Sequence, residues 1–339
     1  MGNRSEVTRP SIYTVAKAAG TSVGTVSNVL NHPERVRPEL RERVLRVMEE
    51  QRFFPDGKAR ALTLGRTSLI ATVFFDISNP FFAEATHALE DGFQSTGRSL
   101  LLTDTEQRVT QEHETLANLL RIGVDGLVIC STGESNELLT RVQGNGTPVM
   151  VMAHRSTEPR LPFVTVDDAG GMELMARHLT ERGLRRFCFV NERIQAIQHR
   201  DRWAGFSRGL AEAGLDPGEV HVEWSEGPTW AGGRSAVERA LARPGPAPEC
   251  FVCLNDYIAI GASKAVTDAG FTVGRDICVT GFDDIPYAAV MAQPLTTIRQ
   301  PVSDMAAFVV DQMHRAVEER TTAMESKTFE AVLVTRESA

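Results

Sequence analysis

A chain of 339 residues, 42% hydrophobic and 24% charged, has an ordinary globular composition and room for two or three domains. No run approaches the roughly 20 apolar residues of a membrane span, the opening MGNRSEVTRPS lacks the apolar stretch of a secretory signal, and five cysteines, an odd number, suit free thiols in a reducing compartment. The net charge of −8 would argue against nucleic acid if it were evenly spread, but Met1 to Arg66 holds 12 Lys and Arg against 7 Asp and Glu, a net of +5, and the remainder holds 24 against 37, a net of −13. A basic arm on an acidic, cytoplasmic body confines phosphate contact to the arm.

Ser11 to Asn31, SIYTVAKAAGTSVGTVSNVLN, reads as two short helices joined by a tight turn. Ser11 is a suitable N-cap for a first helix over Ile12 to Ala19, and Gly20 suits the left-handed position that ends it. Thr21 and Ser22 then cap a second helix. In it Val26, Val29 and Leu30 form one apolar stripe, Gly24 and Asn28 project from the other side, and Val23 sits at the N-terminal tip. Ala16, Ala18 and Ala19 keep the first helix thin enough for a close crossing. The pattern is a helix-turn-helix whose second helix can enter a DNA major groove, although an ordinary helical hairpin shares it.

After the loop Asn31–Val36, Pro38 starts a third helix running to about Gln51. Leu40, Val44, Val47 and Met48 are its apolar stripe, closing a three-helix headpiece. Phe53 to Ser68 is short, basic and bounded by Pro55 and Gly65, which marks a linker.

From Leu69 the pattern becomes short apolar strands (LIATVFF, SLLLT, GLVIC, VMVMA) separated by helical stretches near Phe82–Gln94, Gln111–Leu120 and Glu137–Val142. Apolar strands alternating with helices give parallel sheets covered on both faces. A second series, RFCFVN, VHVEW, CFVCLN and ICVTGFD, makes a second doubly wound lobe. The chain is expected to return to the first lobe at LTTIRQP and a helix over Val302–Glu319, and Phe329–Thr335 to rejoin the second. Ligands in such sheets bind at the carboxyl ends of the strands. That selects Asp76–Phe82, Ala153–Arg155, Asn191–Arg202, Trp224, Asn255–Asp256 and Asp283.

The sequence has no G-x-G-x-x-G, Walker A or H-E-x-x-H. Asp167 and Asp168 would point to opposite strand faces, a poor acid/base pair, and the Cys250/Cys253 pair on a strand reads as core thiols. No metal or cofactor is expected.

TVAKAAGTSVGTVSNVLN resembles the headpiece of the lactose/galactose repressor family. DISNPFFAE, GVDGLVI, DRWAGF, NDYIAIGA, GFDDIP and LTTIRQP extend the resemblance in family order from Ser11 to about Arg336. It implies an α/β fold: a helix-turn-helix headpiece over 1–52, a hinge over 53–67, and a two-lobed periplasmic-binding-protein-like core over 68–339. Lobe one would take about 68–162 and 296–322, lobe two about 163–295 and 323–339. It implies a DNA-binding transcriptional regulator, a repressor, that is not an enzyme. The partners would be a double-stranded palindromic operator, a second copy of the chain, and a sugar or related effector, with no membrane. DNA contact would come from Ser11, Tyr13, Ser22, Val23, Gly24, Thr25, Ser27, Asn28 and Asn31, with Ala59 and Leu62 of the hinge facing the minor groove. Phe81, Phe82, Arg202, Trp224, Asn255 and Asp283 would line the effector cleft. Three features depart from the family pattern: Gly57 where Ala is preferred, Arg37 in place of a Ser or Thr cap, and Ala153 where sugar-responsive members carry Asp. The rival readings are a cytoplasmic binding module or enzyme without DNA function, and a regulator governed by a protein co-regulator.

Overall fold

The first helix begins where its cap stands. In the computed structural model, which describes residues 10–54, 65–131, 135–192 and 196–339, Thr14 N donates to Ser11 Oγ at 3.3 Å and Ser11 N to Thr14 Oγ1 at 2.9 Å. This reciprocal cap starts α1 (Ile12–Ala18). Gly20 takes φ +60°, and Thr21 N turns back to Ala16 O at 3.0 Å, closing the helix end. Ser22 then caps α2 (Val23–Asn31) through Thr25 N at 3.1 Å. The third helix, α3 (Pro38–Glu50), has Pro38 in its first turn, and Arg37 supplies no side-chain cap. Val15, Ala16, Ala19, Val26, Val29, Val44 and Met48 are the buried core of this unit, while Leu30, Leu40 and Val47 pack at its rim. Ala59 and Leu62 lie outside the described residues.

Contacts divide the chain into Met1–Thr67 and Ser68–Ala339. The second unit opens with β1 (Leu69–Phe74), α4 (Pro80–Ser95), β2 (Ser99–Asp104), α5 (Val109–Ile122), β3 (Gly126–Ile129), α6 (Asn136–Gly144), β4 (Val149–Met152) and β5 (Phe163–Val166). It continues with α7 (Asp168–Glu181), β6 (Phe187–Glu192), α8 (Ile197–Glu212), β7 (His221–Ser225), α9 (Trp230–Leu241), β8 (Cys250–Cys253), α10 (Asp256–Asp268) and β9 (Cys278–Thr280). The last elements are β10 (Thr297–Arg299), α11 (Val302–Glu319), β11 (Lys327–Phe329) and β12 (Val332–Val334). One parallel sheet runs β11–β5–β4–β3–β1–β2 and the other β7–β6–β8–β9; β10 and β12 form an antiparallel pair. Strands β3, β4, β6, β8 and β9 are buried along their whole length, and β3, β4 and β8 accordingly read as continuous apolar runs.

Two lobe assignments are corrected. Phe163–Val166, placed by sequence at the start of lobe two, pairs with β4 through Val151↔Phe163 and Met152↔Val164. Within 323–339, assigned to lobe two, Lys327–Phe329 forms β11 and pairs with β5 of the first sheet, whereas Val332–Val334 forms β12 and pairs with β10, which bridges to Asp283 beyond β9 of the second. Each is a short strand, and its pairing partner, not its local pattern, decides which sheet receives it.

Helices α7 and α8 cross very closely. A Cβ on Gly205 of α8 would overlap the backbone carbonyl of Ala169 in α7. Backbone cannot yield as a side chain can, so the site admits hydrogen only. Gly205→Ala is expected to destabilise the protein by about 1–3 kcal/mol through overpacking. A chemical denaturation midpoint equal to that of the wild type would show the crossing to be looser.

Candidate functional site

The helix pair presents a polar face. Tyr13 is 73% exposed, Ser22, Gly24 and Asn28 are exposed, and Thr25, Ser27 and Asn31 are half-buried beside them. Ser22 Oγ is held by Thr25 N and lies 2.9 Å from Thr25 Oγ1, and Asn31 Nδ2 donates to Ser27 Oγ at 3.4 Å. Ser11 is engaged as the cap of α1, and Val23 leans on the core. A Cβ at Gly24 would meet only Ser22 Oγ, at 3.7 Å, so the face is open there. Neutral donors and acceptors on a helix rim suit hydrogen bonds to base edges and phosphates.

In the second unit, Phe81, Phe82, Arg202, Asn255 and Asp283 line one cavity of about 30 Å³, with Asn79, Ala153, Glu192, Gln198, His199 and Gln300. That is room for about two waters. Trp224 is elsewhere. It lines a larger pocket of about 300 Å³ with Asn191, Trp203 and Val222, and His199 borders both. Phe81 and Phe82 are anchored by Asn79, whose Oδ1 accepts from Phe81 N at 3.0 Å at the start of α4. Phe82 stacks edge-on against Phe75 and Phe81 at 5.1 Å each. Asn255 caps α10 through Ile258 N at 2.8 Å.

Arg202, 6% exposed, is the hub. Its Nε donates to Asp168 Oδ1 at 2.7 Å, Nη1 to Leu254 O at 2.8 Å, and Nη2 lies 3.5 Å from Asp283 Oδ1. Its Cζ sits 3.7 Å above the Phe282 ring. Asp168, read from sequence as a strand residue, instead begins α7, with Asp167 capping that helix through Gly170 N at 2.9 Å. The spacing of a helix start after a strand, not a strand pair, is the signal that would have found it.

Asp283 is held in an unusual backbone state, φ +118°, and its neighbour Asp284 at +55°. Conformations of that kind cost on the order of 1–3 kcal/mol in a non-glycine residue and persist where surroundings impose them. Here Asp283 N donates to Ile298 O at 2.8 Å and Gln300 Nε2 to Asp283 Oδ1 at 2.7 Å. Burial lifts the Asp168 and Asp283 carboxyls to about 6 in spite of the Arg202 charge, which pulls both down. Glu192, 2% exposed at the end of β6, is lifted further, to about 8, by burial, relieved in part by Gln107 and raised again by Asp76. Neither of its carboxylate oxygens accepts a hydrogen bond of good geometry, and His199 Nε2 lies 3.8 Å away. Arg155, just after β4 of the first sheet, grips Asp201 of α8 through Nε at 2.6 Å and Nη2 at 2.9 Å. Glu192, Gln198, His199 and Gln300 were not singled out as site residues by the sequence, although the first three lie in the Asn191–Arg202 stretch. No group of three His, Cys, Asp or Glu among the described residues could hold a metal ion.

A domain profile for bacterial regulatory proteins of the lacI family matches residues 11–56, and one for the periplasmic binding protein-like domain matches residues 176–339. The HTH-type transcriptional regulator DegA of Bacillus subtilis (strain 168) is 31% identical over 305 residues, covering 88% of this chain and 89% of that protein. The HTH-type transcriptional repressor PurR of Aliivibrio fischeri (strain MJ11) is 29% identical over 331 residues, covering 96% and 97%. The fold is that of the lac repressor dimer solved with operator and the anti-inducer ONPF, at a TM-score of 0.83 and 23% identity over 97% of this chain and 98% of that one.

A carboxyl raised by burial binds its proton more tightly in the folded protein than in the unfolded chain. Stability therefore falls as pH rises from the ordinary glutamate value of 4.5 to about 8 for Glu192. A melting-temperature series from pH 5 to 9 is expected to decline, and the Glu192→Gln variant to decline less between pH 6 and 8. Parallel curves for the two proteins would mean that Glu192 is not so placed.

Proposed function

The chain belongs to the lacI family of bacterial regulatory proteins, and we propose that it is a sequence-specific repressor whose operator binding is set by a small molecule in the cleft around Arg202. The observation that carries this reading is the exposed polar rim of α2, Ser22, Gly24 and Asn28, on a helix pair capped at both starts. An exposed rim of that kind has no packing role, and a helix carrying it can enter a major groove. The protein acts as a homodimer on a two-fold operator, because a two-fold site is read by two copies related by the same symmetry. It works in the cytoplasm, where that operator lies, and no helix among the described residues is long and apolar enough to cross a membrane. Leu62 and Ala59 belong to a hinge that enters the minor groove, with the leucine as an apolar wedge.

The effector enters between the lobes. With room for about two waters, the cleft must widen to admit a sugar-sized ligand. Arg155 gripping Asp201 across its mouth is a contact that opening would break. Effector and operator then compete or cooperate by favouring different lobe arrangements, which is all that coupling requires. Arg202 and Asp283 orient the ligand, and Phe81 and Phe82 provide the apolar wall.

Selection from random-sequence DNA with the full chain is expected to enrich a palindrome. Asn28→Arg should shift one half-site position from adenine toward guanine, since Asn pairs adenine bidentately and Arg prefers guanine. No enriched palindrome would end the repressor reading, and an unchanged one would remove Asn28 as a base reader. For the cleft, Asp283→Asn is expected to keep operator affinity and to raise the effector concentration needed for response by roughly ten- to a hundredfold, the cost of losing a charged partner. A wild-type response curve in that variant would place the effector elsewhere.

A further inference from the structure

The cavity around Arg202 is short of positive charge. Among the described residues its wall carries one permanent cation, Arg202, against the carboxylate of Asp283 and that of Asp168 directly behind, with the buried carboxyl of Glu192 beside them. Arg202 is already committed: its three nitrogens face Asp168, Leu254 O and Asp283. Only the second N–H of Nη1 and of Nη2 is left for a ligand, on a guanidinium whose charge Asp168 and Asp283 already balance, which suits a hydroxyl better than a carboxylate or phosphate. The unanswered polar atoms on the wall are acceptors. Both oxygens of Glu192 and Oε1 of Gln300 are buried and receive no hydrogen bond of good geometry, Gln107 approaching Glu192 only loosely, on residues 2% and 5% exposed. The orientation of the Gln300 amide is fixed, because its Nε2 donates to Asp283. Among the described residues the groups facing Glu192 are His199 from α8, Gln107 from the segment after β2 and Asp76 from the segment after β1, none of them a permanent cation. A neutral hydroxyl would answer one acceptor and leave the charge imbalance, whereas a cation answers both.

We propose that the effector of this cleft carries a protonated amine beside hydroxyl groups, as an amino sugar does, and that Glu192 is the group that receives the amine. The proposal rests on the reading of this cleft as the effector site. Arg202 and Asp283 would then orient the hydroxyls, and the phenyl rings of Phe81 and Phe82 would face the ligand's apolar surface. Binding has a proton consequence. Burial keeps the empty Glu192 carboxyl protonated at neutral pH, so pairing with an ammonium ion sends that proton to solvent, and the pair formed is carboxylate with ammonium.

The test uses the full chain and matched trios of sugars: glucose, glucosamine and N-acetylglucosamine, and the galactose counterparts. These share a skeleton and differ in the charged nitrogen. Thermal shift and operator affinity are read for each, in wild type and in Glu192→Gln. The expected result is that the free amines act at concentrations at least about tenfold below their neutral and acetylated partners, and that Glu192→Gln brings the three within about twofold. Titration calorimetry at pH 7 in buffers of different ionisation enthalpy should show roughly one proton released per amine bound to wild type and none in the variant. A purely structural role for Glu192 would move neither readout. Glu192→Gln melting no lower than wild type at pH 8 without ligand shows that the variant is folded. Neutral sugars acting as well as amines overturn the amine assignment while leaving the effector cleft intact, provided Asp283→Asn blunts their action. An amine preference that survives Glu192→Gln, or amines that move neither the melting temperature nor operator affinity, also overturns it.

Discussion

One guanidinium holds the second unit's cleft in register. Arg202 reaches α7 through Asp168, the end of β8 through Leu254 O, and the segment after β9 through Asp283, while its face rests on Phe282. A planar fork of donors with fixed angles can satisfy three acceptors only if all three are already in place. The glycine at 205, one turn along the same helix, is what lets α8 lie close enough to α7 for the Asp168 contact. Because breaking a buried pair leaves a bare charge in a poorly solvated place, the arrangement is all or nothing. It shapes the polarity of the cavity too: with each nitrogen of the fork engaged, the buried polar atoms left unanswered on the wall are oxygens.

A second ionic knot sits where chain segments cross between the sheets. Asp284 is bound by Arg299 Nε at 2.6 Å and Arg336 Nη2 at 2.6 Å, joining the segment after β9 to β10 and to the stretch beyond β12. Asp256, wholly buried, accepts from Thr297 Oγ1 at 2.5 Å and Ile285 N at 2.9 Å. The segments that could flex as the lobes rearrange are thus tied near the positive-φ pair Asp283–Asp284. Strain and charge pairing meet at the same residues that face the cleft. Occupancy of the cleft is thereby brought into contact with the crossing strands.

Local features were legible in the sequence to the degree that local physics decides them. Ser11, Gly20, Ser22 and Pro38 mark helix ends by chemistry that acts over three or four residues, and each stands where it was expected. The α11 helix spans Val302–Glu319 as its pattern suggested. Non-local features were not legible. Neither the sheet that receives β5 nor the fate of β11 is written in four- or three-residue runs. Trp224 lies near the carboxyl end of β7, yet its ring borders the neighbouring pocket, because position along a strand does not set which pocket a side chain enters. Asp168 was missed for a related reason: helix and strand readings of VDDAGG differ by one capping bond. Glu192 carries no motif at all; only its burial without partners gives it meaning.

The first sheet depends on parts made last. Its five strands from Leu69 to Val166 are laid down early, but its outer strand β11 comes from Lys327–Phe329, and α11 supplies the helix that packs on α4. Gly92 and Gly126 lie directly beneath Val310 and Met313 of that helix. On a ribosome, one apolar face of the nascent sheet therefore waits uncovered while the whole second lobe is synthesised. Delayed burial of this kind slows folding and lengthens exposure to aggregation. In a living cell the yield of this regulator should thus depend on chaperones that shield that face until residue 319 has emerged.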